Sequence, residues 1–306
     1  MKHMKGLKTF WRDLFLAMLM IFMVFMSKAL VTATGAEVPP SDWELVVLGI
    51  AQDAGIPQLN CQETICVSIR AGQRKPEHVA SIGLVSKSRK KAYLFDATPD
   101  FVSQVHALTG GVSPDAIFLT HGHIGHYTGL MYLGRESIDA ARVPVYGTER
   151  MTRYLTSNGP WSLLVSRENI SLHVLTPEVP VNLGDGVRIT PFLVPHRDEF
   201  TDTVGYMIET PRKRAIYIPD IDQWQKWTRG IRVLADSVDI ALLDGTFASA
   251  SELPGRSMAD IPHPLMPTTR ELLRGVRASV WFIHLNHTNK EIDAKDVVRE
   301  GMRLTM

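Results

Sequence analysis

Thr120-His-Gly-His-Ile-Gly-His-Tyr-Thr-Gly-Leu130 is the stretch on which the reading of this chain turns. Three histidines, His121, His123 and His126, fall within six positions. The apolar run Ala116-Ile-Phe-Leu119 precedes them and reads as a buried strand. A strand ending in His-x-His sets two imidazoles at its carboxyl edge, and a third histidine three residues on can fold back to the same point. Neutral imidazole is the commonest protein ligand for zinc and also suits iron.

Outward from that motif, four further strand-like runs end in a bare carboxylate or imidazole. Tyr93-Leu-Phe-Asp96, Phe192-Leu-Val-Pro-His196, Ile216-Tyr-Ile-Pro-Asp220 and Trp281-Phe-Ile-His284 are these runs. One such ending is unremarkable; four in order around a His-x-His point to one metal site on one edge of a scaffold. The other runs alternate strand and helix: Glu44–Ile50, Ala80–Val85 and Lys91–Asp96 as strands, Pro99–Leu108 and Glu149–Ser157 as helices, and a helix starting near Thr128. Strands Val187–Val194, Thr203–Thr210, Ala215–Pro219, Val238–Leu243 and Ser279–Ile283 follow, with a helix at Thr268–Val276. Many strands with helices between and outside them, and no polar linker after Ser41, argue for two sheets flanked by helices in a single domain over 42–306.

The chain has 306 residues, 45% hydrophobic, with a formal charge of +1. That charge gives no electrostatic case for nucleic acid; a small-molecule substrate is the expected partner. The basic clusters Lys87–Lys91 and Arg212–Arg214 lie between strand-like runs and read as hairpin tips. Cys61 and Cys66 are the only cysteines; a disulfide, free thiols, or a metal or redox pair are all compatible with their spacing. At the amino terminus, Lys2, Lys5, Lys8 and Arg12 precede an apolar run from Leu14 to Met26 and small residues at Thr34-Gly-Ala36. Residues 1–36 read as a secretory signal peptide, with an uncleaved membrane anchor as the alternative, so the domain is expected outside the cytoplasm.

The order Asp, His-x-His-x-x-His, His, Asp, His resembles the metallo-β-lactamase superfamily from about Glu44 to Asn289. Leu48-Gly-Ile-Ala-Gln-Asp-Ala-Gly-Ile-Pro-Gln-Leu-Asn-Cys61 and Phe282-Ile-His-Leu-Asn-His-Thr-Asn289 are similar to the branch containing the pyrroloquinoline quinone biosynthesis protein B. The resemblance implies a four-layer αββα sandwich with two mixed sheets and one or two zinc ions, iron or manganese being admissible. It implies that His121, His123 and His196 hold a first metal, and that His126, Asp220 and His284 hold a second with Asp220 bridging. Asp96 would orient the histidine loop from behind. The family motif is His-x-His-x-Asp-His, and its aspartate position is Gly125 here, so the second site is expected to be weakened or altered.

The implied chemistry is hydrolysis, with water activated by the metal attacking an ester, lactone or phosphodiester-type substrate. His263 or His287 would protonate the leaving group, and His287 is also an alternative to His284 as ligand. Iron-dependent oxygen chemistry is a second implication, and a metal-binding protein without turnover a third. Asp244, at the end of Ala241-Leu-Leu-Asp244, suits an edge of the core or a substrate contact equally. Tyr127, Trp224 and Trp227 read as packing residues, His173 as structural, and His78 and His106 carry no assigned role.

Overall fold

The computed structural model describes residues 42–253 and 262–306, and the readings made on residues 1–36 lie outside it. Residues 42–306 fall in one compact unit. The first sheet is built from β1 (Trp43–Gly49), β2 (Ser81–Ser86), β3 (Lys91–Phe95), β4 (Ala116–Phe118), β5 (Val143–Thr148) and β6 (Ile170–Leu175). The second comprises β7 (Val181–Gly184), β8 (Val187–Leu193), β9 (Val204–Glu209), β10 (Arg214–Ile218), β11 (Ile240–Asp244) and β12 (Ser279–Ile283). The last strand, β13 (Arg303–Thr305), returns to the first sheet, whose order is β13-β1-β2-β3-β4-β5-β6; the second runs β12-β11-β10-β9-β8-β7. Both sheets are mixed: β1 to β3 pair antiparallel and β3 to β6 parallel, while β10, β11 and β12 are parallel and β7 to β10 antiparallel.

Period-two alternation explains the layering. On β1, Leu45 and Val47 point between the sheets, against a core that also holds Phe95, Phe118, Tyr206, Tyr217, Leu242 and Phe282. Val46 and Leu48 point the other way, into a separate cluster with Phe101, Val105, Leu108, Met151 and Leu155. Those residues come from α2 (Phe101–Thr109) and α4 (Glu149–Ser157); α1 (Thr64–Arg70) and the single turn α3 (Ile124–Tyr127) complete the first half of the chain, and α5 (Trp161–Ser166) follows α4. On the far side, Ile216, Ile218, Ala241 and Leu243 pack against Ile231 and Leu234 of α6 (Ile231–Asp236), with Trp224, Trp227 and Leu273. The last described helix, α7 (Met266–Leu272), lies just before that leucine. Three apolar clusters thus separate four layers, helix, sheet, sheet and helix, as the sequence implied. Among the described residues, no helix is long and apolar enough to cross a membrane.

Several elements differ from the sequence reading. Thr128–Leu133 is a 3₁₀ helix rather than the start of an α-helix. The reason is close approach: the Gly129 amide donates to Ala97 O, and a Cβ there would lie 2.1 Å from Thr98 O. The short elements α1, α5, α6, β7 and β13 escaped periodicity because each spans two turns or fewer, or only a few residues. Cys61 and Cys66 form a disulfide, which resolves the alternatives left open for them. Trp224 and Trp227 are buried, with their indole N–H groups donating to Thr269 Oγ1 and Leu193 O, so they pack as the sequence reading had them. Tyr127 is also buried, its hydroxyl 2.9 Å from that of Tyr154.

Candidate metal centre

The site forms where β3, β4, β10 and β12 end and two loops between strands arrive. β4 stops at Phe118, and its continuation delivers Thr120 and His121; α3 then turns His126 back beneath them. Past β8 comes His196, past β10 Asp220, and past β12 His284. Asp96 and His284 both sit in left-handed backbone, with φ of 66° each. Non-glycine residues hold that conformation only where their surroundings over-determine it. Here His284 is fixed by Leu285 N donating to Ile50 O, and Asp96 by its own amide donating to Phe118 O.

His121, His123, His196 and Asp220 bring one ligand atom each within 4.8 Å of one another. His121 Nε2 stands 2.8 Å from His123 Nδ1 and 3.4 Å from Asp220 Oδ2, and His196 Nε2 stands 3.2 Å from the same oxygen. Four ligands placed tetrahedrally about zinc at 2.0–2.1 Å are roughly 3.3 Å apart, so the spacing suits a single ion. A second group consists of Asp53, His126 and His284. His126 Nε2 is 3.4 Å from Asp53 Oδ1, and the Nε2 atoms of His126 and His284 lie 4.0 and 3.8 Å from Asp220 Oδ2. Asp220 therefore stands between the two groups.

The fit to a metal is tested by atoms that have no other employment. His126 Nε2, His196 Nε2, His284 Nε2, Asp220 Oδ1 and Asp53 Oδ1 are all buried without a hydrogen-bond partner. Buried polar atoms are rarely left so, and five converging here fit a cation.

The opposite faces of the rings are tied down. His126 Nδ1 lies 2.8 Å from Asp96 Oδ2, His123 Nε2 3.0 Å from Glu199 Oε2, and His284 Nδ1 3.1 Å from Thr246 Oγ1. A proton on each of those nitrogens leaves the lone pair of the other nitrogen facing the cluster. Asp96 also accepts from the amide and hydroxyl of Thr120, which fixes the start of the histidine loop.

Electrostatics follow from burial and from neighbouring charge. Burial pushes His121 well below its ordinary value, the His126 charge adding to the effect, and burial also lowers His123. Both are thus neutral, as ligands must be. For Asp220, burial favours the protonated acid, but the surrounding imidazoles of His196, His284, His263 and His121 overcome it and hold the carboxyl well below the usual range. Burial disfavours the imidazolium of His126 too, yet the carboxylates of Asp96 and Asp53 lift it to about 10. A field that draws a proton onto His126 draws a cation as well.

His263 is buried beside this cluster, its Nδ1 2.8 Å from Asp244 Oδ2 and 3.3 Å from Asp220 Oδ1. Asp244 is itself held by Thr246, whose amide and hydroxyl donate to Oδ1, and by the Ile221 amide. The role for which Asp244 is placed is therefore to face His263. His287 is the exception among the residues singled out from sequence. It does not join the cluster: its Nδ1 lies 3.0 Å from Cys61 Sγ, beside the disulfide. The left-handed turn at His284, with Asn286 N donating to Thr246 O, carries the chain away from the centre before residue 287 is reached.

Asp53 is the residue that sequence reasoning missed. It lies in the loop after β1, four residues past Gly49, and a strand ending followed by a carboxylate was the signal that singled out the others. The intervening Ile50-Ala-Gln52 hid it.

Residues 91–285 match the family model described as the β-lactamase superfamily domain. Coenzyme PQQ synthesis protein B of Ruegeria pomeroyi (strain ATCC 700808 / DSM 15171 / DSS-3) is 28% identical over 276 residues, spanning 80% of this chain and 90% of that protein. The crystal structure of zinc-bound PqqB from Methylobacterium extorquens superposes with a TM-score of 0.73 at 23% identity, covering 86% of this chain and all of that one. A diphosphatase from the PhnP family superposes with a TM-score of 0.64 at 23% identity, over 86% of this chain and 96% of that one. The two structures share the fold. The family match takes in every histidine of the cluster together with Asp96 and Asp220, and the chain belongs to the β-lactamase superfamily.

Proposed function

We propose that the protein is a metal-dependent hydrolase acting on a small ester, lactone or phosphodiester-type substrate. The observation that carries this reading is the convergence of His121 Nε2, His123 Nδ1, His196 Nε2 and Asp220 Oδ2 at ligand spacing, His196 Nε2 being buried with no hydrogen-bond partner. These four residues would hold the ion, and zinc is the metal favoured by their donors; iron or manganese also accept imidazole and carboxylate. Such an ion supplies Lewis acidity and lowers the pKa of water from 15.7 to about 7.

The chain's own residues supply the rest. Glu199, Thr120 and Thr246 keep the imidazoles in the ligating tautomer. Burial disfavours the imidazolium of His263, but the carboxylates of Asp244 and Asp220 raise it to about 9, so Nε2 carries a proton while Nδ1 faces Asp244. His263 would give that proton to the leaving group, a role worth about 10²–10⁴-fold in rate. His126 Nε2 and His284 Nε2 face the same Asp220 oxygen from 4.0 and 3.8 Å. Export, proposed from the amino-terminal sequence, agrees with the Cys61–Cys66 disulfide, which persists in oxidising compartments.

The test is elemental analysis of the purified protein with an ester, lactone and phosphodiester panel, alongside His121→Ala. Bound zinc and turnover, both lost in the variant, are expected. Retention of metal and full activity in His121→Ala would overturn the reading. A second reading, iron-dependent oxygen chemistry, draws support from the likeness to PQQ synthesis protein B and from a donor set rich in imidazole. Bound iron with oxygen consumption and no hydrolysis would favour it.

A further inference from the structure

We infer that Asp53 is a metal ligand, closing with His126, His284 and Asp220 a second cation site in which it replaces the carboxylate missing at Gly125. This rests on the metal-centre reading proposed above. Three observations carry it.

The first is space. A Cβ built on Gly125 would lie 2.4 Å from Asp53 Oδ1, 2.5 Å from its Cα and 3.1 Å from its Cβ. Main chain and carboxylate of residue 53 together occupy the volume a side chain at 125 would fill. Glycine at 125 is therefore the condition for Asp53 to enter, and the two positions exclude one another sterically.

The second is what Asp53 Oδ1 faces. It is buried, it lacks a hydrogen bond, and it lies 3.4 Å from His126 Nε2, which also lacks one. An ordinary aspartate–histidine ion pair would align the N–H with the carboxylate. Here His126 has already given Nδ1 to Asp96, and the facing pair is better described as two donors turned to a common point with His284 Nε2, the third unpartnered atom. Two nitrogens and two carboxylate oxygens form a harder set than the first site, suited to zinc, manganese or iron.

The third is how firmly the loop is fixed. Ile50 and Ala51 amides donate to His78 O, the Ile56 amide donates to Glu77 O, and Gly55 closes the turn on Gln52 in left-handed backbone. The Gln52 amide donates to Leu285 O and the Leu285 amide to Ile50 O. The loop that carries Asp53 is thus laced to the residue directly after His284, so the two ligands are positioned by one set of main-chain bonds.

The test is metal titration of the full-length protein, stripped and reloaded with zinc, with Asp53→Asn, Gly125→Ala and His123→Ala in parallel. Two equivalents are expected in the wild type. Asp53→Asn should keep one tight equivalent and weaken the other by more than about 100-fold, since partners one step removed from a metal already cost 10–100-fold. Gly125→Ala should do the same by displacing Asp53, and it carries the test if Asp53→Asn does not fold. His123→Ala should lose the other equivalent instead. Two equivalents of unchanged affinity in Asp53→Asn would reduce Asp53 to an ion-pair partner and overturn the inference while leaving the metal centre intact. A single equivalent in the wild type would overturn it likewise. No metal in any protein would overturn both this inference and the hydrolase reading.

Discussion

Asp96 Oδ2 lies 2.8 Å from His126 Nδ1, with both side chains fully buried and Tyr217 Oη a further 3.5 Å contact on the same oxygen. The pair fixes the imidazole that stands farthest down the histidine loop. Asp96→Asn retains the shape but loses the charge-assisted bond. We expect metal affinity to fall about 10–100-fold, with little change in the far-ultraviolet spectrum. Zinc titration checks this; an unchanged affinity would remove Asp96 from the centre.

His263 and Asp244 face one another at the edge of the cluster. His263→Ala should retain the metal and lose about 10²–10⁴-fold in kcat. Asp244→Asn should give a smaller loss and a displaced pH–rate profile, because its carboxylate faces His263 Nδ1. Substrates with good leaving groups, which need no proton, should be spared in both variants. Equal losses on activated and unactivated substrates would argue against proton donation.

Ligands reach the cluster from both sheets: His121, His123 and His126 follow β4, while His196, Asp220 and His284 follow β8, β10 and β12. An ion held among them ties the sheets together, and whatever binds the native state alone raises its stability. Chelation should lower Tm, with recovery on adding zinc, and the gain should grow with free metal concentration. Calorimetry with and without chelator checks it; identical Tm values would show that the sheets dock without help.

His78 supplies a pH dependence remote from the centre. Its Nδ1 lies 3.0 Å from Glu300 Oε2, and that hydrogen bond, with the charges of Glu300, Asp100 and Glu77, raises its pKa despite the opposing effect of burial. A folded value above the unfolded one, near 6.5, means that the contribution is fully present below pH 6.5 and is lost as pH rises through the raised value. His78→Gln should therefore lower Tm at pH 5.5 and leave it almost unchanged at pH 9. Metal-loaded protein on both sides of the comparison keeps the ligand histidines out of the difference. Equal losses at both pH values would point to packing instead.

Much of this was legible because the chain repeats one device. Tyr93-Leu-Phe-Asp96, Phe192-Leu-Val-Pro-His196 and Ile216-Tyr-Ile-Pro-Asp220 each advertise a buried strand and the polar residue at its end. Strand alternation such as Leu45 and Val47 against Val46 and Leu48 also announced a sheet covered on both faces. What stayed hidden was tertiary. Asp53 belongs to a loop whose path is set by bonds to Leu285 and His78, neither of which is near it in sequence. His287 stands as close to His284 in sequence as His126 does to His123, yet a single left-handed residue sends it to the disulfide. Gly125 looked like a loss because only its own side chain was considered, not the one it makes room for.

That last point bears on how such chains are recognised. The family match begins at residue 91, well after Asp53, so an inspection confined to the histidine motif scores this centre as broken. With Asp53 filling the gap, positions 53 and 125 are expected to vary together. Related chains with glycine at 125 should carry an acid at 53 and those with aspartate at 125 should not, because a Cβ at 125 meets the main chain of residue 53 as well as its carboxylate.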